Sequence, residues 1–243
     1  MSYPEQAKPT IVLVHAAWAD GSSWSRVIPR LRAKRLSVIA PQLPLTSLAA
    51  DTLALKNVLS RISGPVLLAA HSYGGAVITS AATGESEVKS LVYIAAMAPD
   101  EGETVAALLH RAPPHPLAPA LAPDSEGLLW MTRQGFADAV APASSAEELD
   151  VMTAVQIPAS VQCIMQPMGI PAWREKPSWC LIAEEDRMIA ADTQHWMAER
   201  AGATVVSKPL DHTPLTSAPQ DVADIILLAA ASANEIYREG YIG

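Results

Sequence analysis

Ser72 sits in Ala69-Ala70-His71-Ser72-Tyr73-Gly74-Gly75, with apolar residues before it and two glycines after it. The run Pro65–Ala70 reads as a buried strand and Gly74–Ala82 as a helix, so the serine occupies a very short strand-to-helix connection. Such a turn holds the hydroxyl out from the backbone. Ala70 and Gly74, two positions to either side, are small enough for the turn to close. The helix start also gathers main-chain N–H groups where an anion formed in a reaction at the serine would lie. A serine hydroxyl is a weak nucleophile until a base takes its proton, and that base is usually oriented by a carboxylate. Six histidines compete for the role. His71 adjoins the serine and points elsewhere if Ser72 is at the tip of the turn. His15 ends the first apolar run, His110 and His115 lie in a proline-rich stretch, and His195 is in mid-helix. His212, in Leu210-Asp211-His212-Thr213-Pro214, falls on a loop just after an apolar run. Carboxylates stand at Glu184, Glu185 and Asp186, on the loop after another such run, and at Asp211.

Those loops need a scaffold. Six short apolar runs, 11–15, 36–40, 65–70, 90–96, 179–183 and 203–207, are unbroken rather than alternating, which suits strands of a parallel sheet covered on both faces. Helical stretches are expected between them at Ser23–Arg35, Asp51–Ile62, Gly74–Ala82, Asp192–Ala201 and Gln220–Ala231. The alternation implies an α/β fold with right-handed crossovers. Ser72, Glu184–Asp186 and His212 then share the carboxyl edge of one sheet. The alternation breaks once. Between Pro99 and Pro177 no strand is expected, and 11 of the 20 prolines fall there. Arg111–Pro123 is too rich in proline for a regular helix. Helical pieces are expected at Glu101–His110, Gly127–Phe136 and Ala146–Val155. The division is therefore a core of 1–98 and 178–243 with a packed helical cap, 99–177, inserted between two sheet strands.

Composition limits the partners. Of 243 residues, 50% are hydrophobic and 17% charged, which excludes disorder. The formal net charge of −8 argues against nucleic acid and anionic membrane surfaces. Residues 1–6 lack the basic-then-apolar pattern of a signal peptide. The clean apolar run Ile225–Ala231 is too short for a bilayer, which takes about 20 residues. Two cysteines without CxxC spacing, Cys163 and Cys180, make metal clusters and disulfides poor expectations. A cytoplasmic, reduced protein, monomer or homodimer, is expected. Its alanine and proline content suggests a bacterial origin.

The serine turn resembles the G-x-S-x-G nucleophile elbow of α/β-hydrolases, with Ala70 replacing the first glycine. The likeness covers nearly the whole chain. The stretches 15–24, 70–78, 93–102 and 172–179 resemble small bacterial α/β-hydrolases, similar in turn to the plant methyl-ester esterase and hydroxynitrile lyase branch. The resemblance implies the order Ser, acid, His, which selects Ser72 and His212. Asp186 best matches the family's E-D-x-x-I turn and becomes the acid. His15-Ala16-Ala17-Trp18 stands where the family carries H-G-x. The backbone N–H groups of Ala17 and Tyr73 become the expected oxyanion hole. Ala16 replaces a glycine there, and a positive φ at this position would strain it.

The implied reaction is acyl transfer to water from a small carboxylic ester or lactone, through an acyl-enzyme on Ser72, with no metal or organic cofactor. Trp18, Tyr73, Trp130, Met131 and Trp173 are the candidates to line an apolar substrate pocket. A lyase is disfavoured, because lyases of this branch carry a lysine directly after the histidine and here that residue is Thr213. A catalytically silent binding protein that retains the triad and a carbon–carbon hydrolase are the alternatives.

Overall fold

The computed structural model describes residues 8–239. The N-terminal stretch read above for a signal peptide lies outside them. In chain order the elements are β1 (Thr10–Val14), α1 (Ile28–Ala33), β2 (Val38–Ile39), α2 (Leu48–Leu59), β3 (Val66–His71), α3 (Gly74–Ala81), β4 (Val88–Ile94) and α4 (Val105–Leu109). There follow β5 (Leu128–Leu129), α5 (Arg133–Gly135), α6 (Ala146–Val155), β6 (Ala159–Ser160) and α7 (Val161–Met165). The chain then runs through β7 (Ser178–Ala183), α8 (Ala191–Arg200), β8 (Thr204–Lys208), α9 (Pro214–Ser217) and α10 (Pro219–Glu239).

Six strands form one sheet in the order β2-β1-β3-β4-β7-β8, and every neighbouring pair is parallel. The fold is an α/β sandwich. Each of the six apolar runs is a strand. The pattern follows from burial on both faces: β3 and β7 have no exposed position, whereas the edge strand β8 is largely open. On one face α2, α3 and α8 pack over Val12, Leu68, Tyr93 and Ile182; on the other, α1 and α10 cover Ile11, Leu67, Val92 and Leu181. Alternate residues of each strand thus feed separate cores.

Three local expectations are corrected. Ser23–Arg35 is not one helix. It is a 3-10 turn, Gly21–Trp24, followed by α1, because Pro29 is tolerated only in a first helical turn. Gly127–Phe136 does not start as a helix either. Asp124 Oδ1 accepts the N–H groups of Glu126 and Leu128, Gly127 adopts φ +78°, and Leu128–Leu129 leave in extended form. They pair antiparallel with Ala159–Ser160, so the 99–177 segment holds a small two-stranded sheet where no strand was expected. The helix begins only after Thr132, whose hydroxyl caps it at Gly135 N–H, and continues as a π-turn over Phe136–Val140. By contrast α6 spans the expected Ala146–Val155, begun by a reciprocal cap between Ser145 and Glu148. Strands β4 and β7 pair directly, so the intervening segment leaves the sheet unbroken.

Candidate active site

β3 ends at His71 and α3 begins at Gly74, leaving two residues for the turn. Ser72 takes φ +52°, a left-handed conformation that an L-residue adopts at a cost of about 1–3 kcal/mol. The turn closes because α3 lies directly on backbone. A Cβ on Gly74 would come within 2.6 Å of His15 O, and one on Gly75 within 2.3 Å of Met97 O. Both glycines are required by contact. Ala70, fully buried on β3, replaces the family's glycine without such a conflict.

The Ser72 hydroxyl donates to His212 Nε2 at 2.9 Å, and His212 Nδ1–H donates to Asp186 Oδ2 at 2.8 Å. In this arrangement Nδ1 faces the carboxylate and Nε2 faces the hydroxyl, as a base oriented by an acid requires. The imidazole and carboxylate are almost wholly buried. Asp186 is held on all sides: Oδ1 accepts the N–H groups of Met188 and Ile189 at 2.7 and 2.9 Å, and Oδ2 also accepts from Gln194 Nε2 at 2.8 Å. Gln194, on α8, is itself locked by Ala183 N–H and Ile189 O. Nothing in the sequence singled Gln194 out, because a glutamine in mid-helix carries no motif.

The other candidates for base and acid are otherwise engaged. Glu184 pairs with His195 at 2.7 Å and with the Ser207 hydroxyl, and these partners hold its carboxyl below the usual range. Glu185 is exposed. Asp211 accepts from Thr213 N–H, the Ser217 hydroxyl and Ala143 N–H, and so braces the loop that carries His212. His110 bonds its own helix at Ala106 O, and His115 lies in the proline-rich stretch. His71 lies beneath the site and donates from Nε2 to His212 O at 2.6 Å. Burial, with the nearby His212, pushes its pKa down to about 3, so it stays neutral.

The loop after β1 supplies the opposite side. His15 is buried, donates from Nδ1 to Ala16 O at 2.8 Å and accepts from Leu43 N–H at 2.8 Å. Burial lowers its pKa, consistent with a neutral ring that clamps the loop. Ala16 does not take a positive φ; Trp18 does, at +58°. The alanine that stands here for the family's glycine is therefore not a source of strain. The main-chain N–H groups of Ala17 and Tyr73 donate to no group among the described residues.

A cavity of about 350 Å³ opens over Ser72 and His212. Ala16, Ala17 and Trp18 form one wall, and Phe136, Val140, Val151, Met152 and Val155 of the 99–177 segment form the other. Arg26 and Glu148 form an ion pair at its mouth. Of the expected pocket residues only Trp18 lines it, with its indole N–H bonded to Leu129 O at 2.8 Å. Trp130 is half exposed and bonds Asp124; Met131 is buried under Gly135; Trp173 is buried and bonds Pro99 O. The Tyr73 ring points into the core. Aromatic character alone did not distinguish packing from lining. Among the described residues no three His, Cys, Asp or Glu side chains are grouped to hold a metal, and no helix is long and apolar enough to cross a membrane.

The pyrethroid hydrolase of Sphingobium wenxiniae is 26% identical over 244 residues, covering 89% of this chain and 85% of its own. The crystal structure of a pyrethroid hydrolase from Sphingobium faniae superposes with a TM-score of 0.82 at 24% identity, over 93% of this chain and 99% of that one. A methylesterase from Arabidopsis superposes with a TM-score of 0.74 at 17% identity, over 92% and 99%. The family model described as the alpha/beta hydrolase family matches residues 11–225, which include the serine turn, both loops facing it and the cavity walls. The chain belongs to the alpha/beta hydrolase family.

Proposed function

We propose that the protein is a serine hydrolase that cleaves small, apolar carboxylic esters or lactones. The observation that carries this reading is the Ser72–His212–Asp186 relay, with contacts of 2.9 and 2.8 Å, opening into a cavity with a largely apolar lining. His212 Nε2 takes the proton as Ser72 Oγ attacks the ester carbonyl, and Asp186 stabilises the imidazolium. The carbonyl oxygen, now negative, is received by the N–H groups of Ala17, on the loop after β1, and of Tyr73, at the start of α3. His212 returns the proton to the leaving alcohol. Water then enters by the same base catalysis and releases the acid. No step requires a metal or an organic cofactor. The pyrethroid hydrolases among the relatives support ester chemistry at such a site.

The test is a burst of chromophore from an activated ester, followed by steady turnover, with Ser72→Ala as the comparison. Ser72→Ala is expected to lose about 10⁴ or more in kcat while remaining folded by circular dichroism. Retention of a tenth of the activity would remove Ser72 as nucleophile. Binding of esters without any burst would favour a silent binding protein.

A further inference from the structure

Asp51 is a fully buried carboxylate, 0% exposed, on the first turn of α2. Its Oδ2 accepts the Tyr73 hydroxyl at 2.6 Å and the Cys163 thiol at 3.7 Å, and its Oδ1 accepts Leu45 N–H at 2.8 Å. Each donor comes from a different part of the molecule. Tyr73 directly follows Ser72 and immediately precedes α3. Cys163 is on α7, within the inserted segment. Leu45 lies on the loop before α2 at φ +53°, and its carbonyl accepts Ser160 N–H from β6.

A carboxylate in such a place is costly to bury, and its pKa is raised by that burial. An apolar side chain opposite a phenylalanine would fill the same space without the penalty. What the polar group adds is direction. The Tyr73 hydroxyl donates to Asp51 at 2.6 Å, and the Cys163 thiol lies beside the same pair. That bond fixes the ring, which is otherwise packed in the apolar cluster beneath α3. The ring and the main chain of residue 73 are joined by two rotatable bonds, so fixing one restrains the other.

Given the reading of Ser72 as nucleophile, we infer that Asp51 is a positioning residue for the reaction. Through the Tyr73 phenol it holds the residue-73 N–H at the place where the oxyanion forms. Asp51 is not a catalytic residue, since it touches neither Ser72 nor the cavity lining. A donor displaced by a fraction of an ångström weakens transition-state binding without changing substrate binding.

The experiment compares Asp51→Asn, Tyr73→Phe and the double variant with the unmodified protein. kcat and KM are measured on a nitrophenyl ester, and Ki on an alkylboronic acid, which takes the tetrahedral form on the serine. Each single variant is expected to lower kcat about tenfold and leave KM within twofold. Each should raise the boronate Ki by the factor by which kcat/KM falls. The double variant should be no worse than the weaker single one, because both act through one bond. If turnover is slow, the rate of fluorophosphonate labelling carries the same comparison. Tyr73→Phe removes one oxygen and decides the matter even if Asp51→Asn fails to fold. A kcat within twofold for folded Tyr73→Phe, losses confined to KM, or an unchanged boronate Ki would each overturn the inference. Failure of Ser72→Ala to abolish turnover would instead overturn the reading of the nucleophile.

Discussion

The carboxylate that serves His212 is chosen by main-chain geometry. Three acidic residues run in series at Glu184, Glu185 and Asp186, yet only Asp186 is turned inward, where Met188 N–H, Ile189 N–H and Gln194 receive it. Asp186→Asn keeps the shape but removes the charge that stabilises the imidazolium, so a loss of about 10³–10⁴ in kcat is expected. Glu184→Gln and Glu185→Gln are expected to cost about threefold or less, as half-exposed or exposed loop charges. Steady-state kinetics of the three variants on one ester checks this ordering. A second residue-scale expectation concerns acid stability. His71 has a folded pKa of about 3 against an ordinary 6.5, and His15 is shifted in the same direction. As pH falls below 6.5 the unfolded chain binds protons that the folded chain refuses. Stability therefore falls, by up to about 1.4 kcal/mol per pH unit for His71, and His15 adds to the fall in the same direction. Carboxyls held low, such as Glu103 and Glu184, contribute only nearer their ordinary value of 4.5, and the raised carboxyl of Asp51 acts in the opposite sense. Urea unfolding from pH 6.5 to 5 should show the slope, and His71→Gln should reduce it by about one proton. A slope unchanged by His71→Gln in that window would contradict the buried, neutral state of His71.

At the scale of elements, α3 is held against the sheet by the absence of two side chains. Its N-terminus has no side-chain cap, so its position depends on the contacts of Gly74 with β1 and of Gly75 with the chain leaving β4. A methyl at Gly75 meets backbone at 2.3 Å, which no rotamer change can relieve. Gly75→Ala is expected to cost about 2–4 kcal/mol and lower Tm by about 10 °C, with a parallel loss of activity. Gly84→Ala provides the contrast. Gly84 has φ +76° but open space around its Cβ position, so only backbone strain of about 1 kcal/mol is expected. Differential scanning calorimetry of the two variants separates close approach from conformational preference.

At the scale of the whole molecule, the reacting groups and the substrate wall come from different parts of the chain. Ser72, Asp186 and His212 stand on loops of the six-stranded sheet, whereas Val151, Met152 and Val155 of α6 face them across the cavity. Val151 and Val155 are exposed to about half their area, so the fold does not depend on their burial. The double variant Val151→Ser, Val155→Ser should raise KM for medium-chain esters about tenfold, leave acetate esters nearly unaffected and leave Tm unchanged. A chain-length series of nitrophenyl esters reads this directly. Equal losses on acetate and octanoate would mean that α6 does not bind the acyl or alcohol chain.

The runs of apolar residues determined the six strands, because a parallel sheet covered on both faces demands continuous burial along each strand. The small residues around Ser72 determined the serine turn, since only small side chains permit so close a helix–strand junction. The family order then pointed to His212, and the family's E-D-x-x-I turn to Asp186. The proline-rich segment was less legible. Its turns are governed by single contacts, such as those of Asp124 with Glu126 and Leu128, which local propensity does not weigh. Only the tertiary structure separated Trp18 in the cavity from Trp130 at the surface and Trp173 in packing, since an indole serves all three settings equally well. It alone brought Asp51 to Tyr73 and Gln194 to Asp186. The first pair is 22 residues apart and the second eight, and in each pair the two residues stand on different parts of the fold. A buried polar group acquires its partners from chain crossings, and those are set by how the whole chain packs.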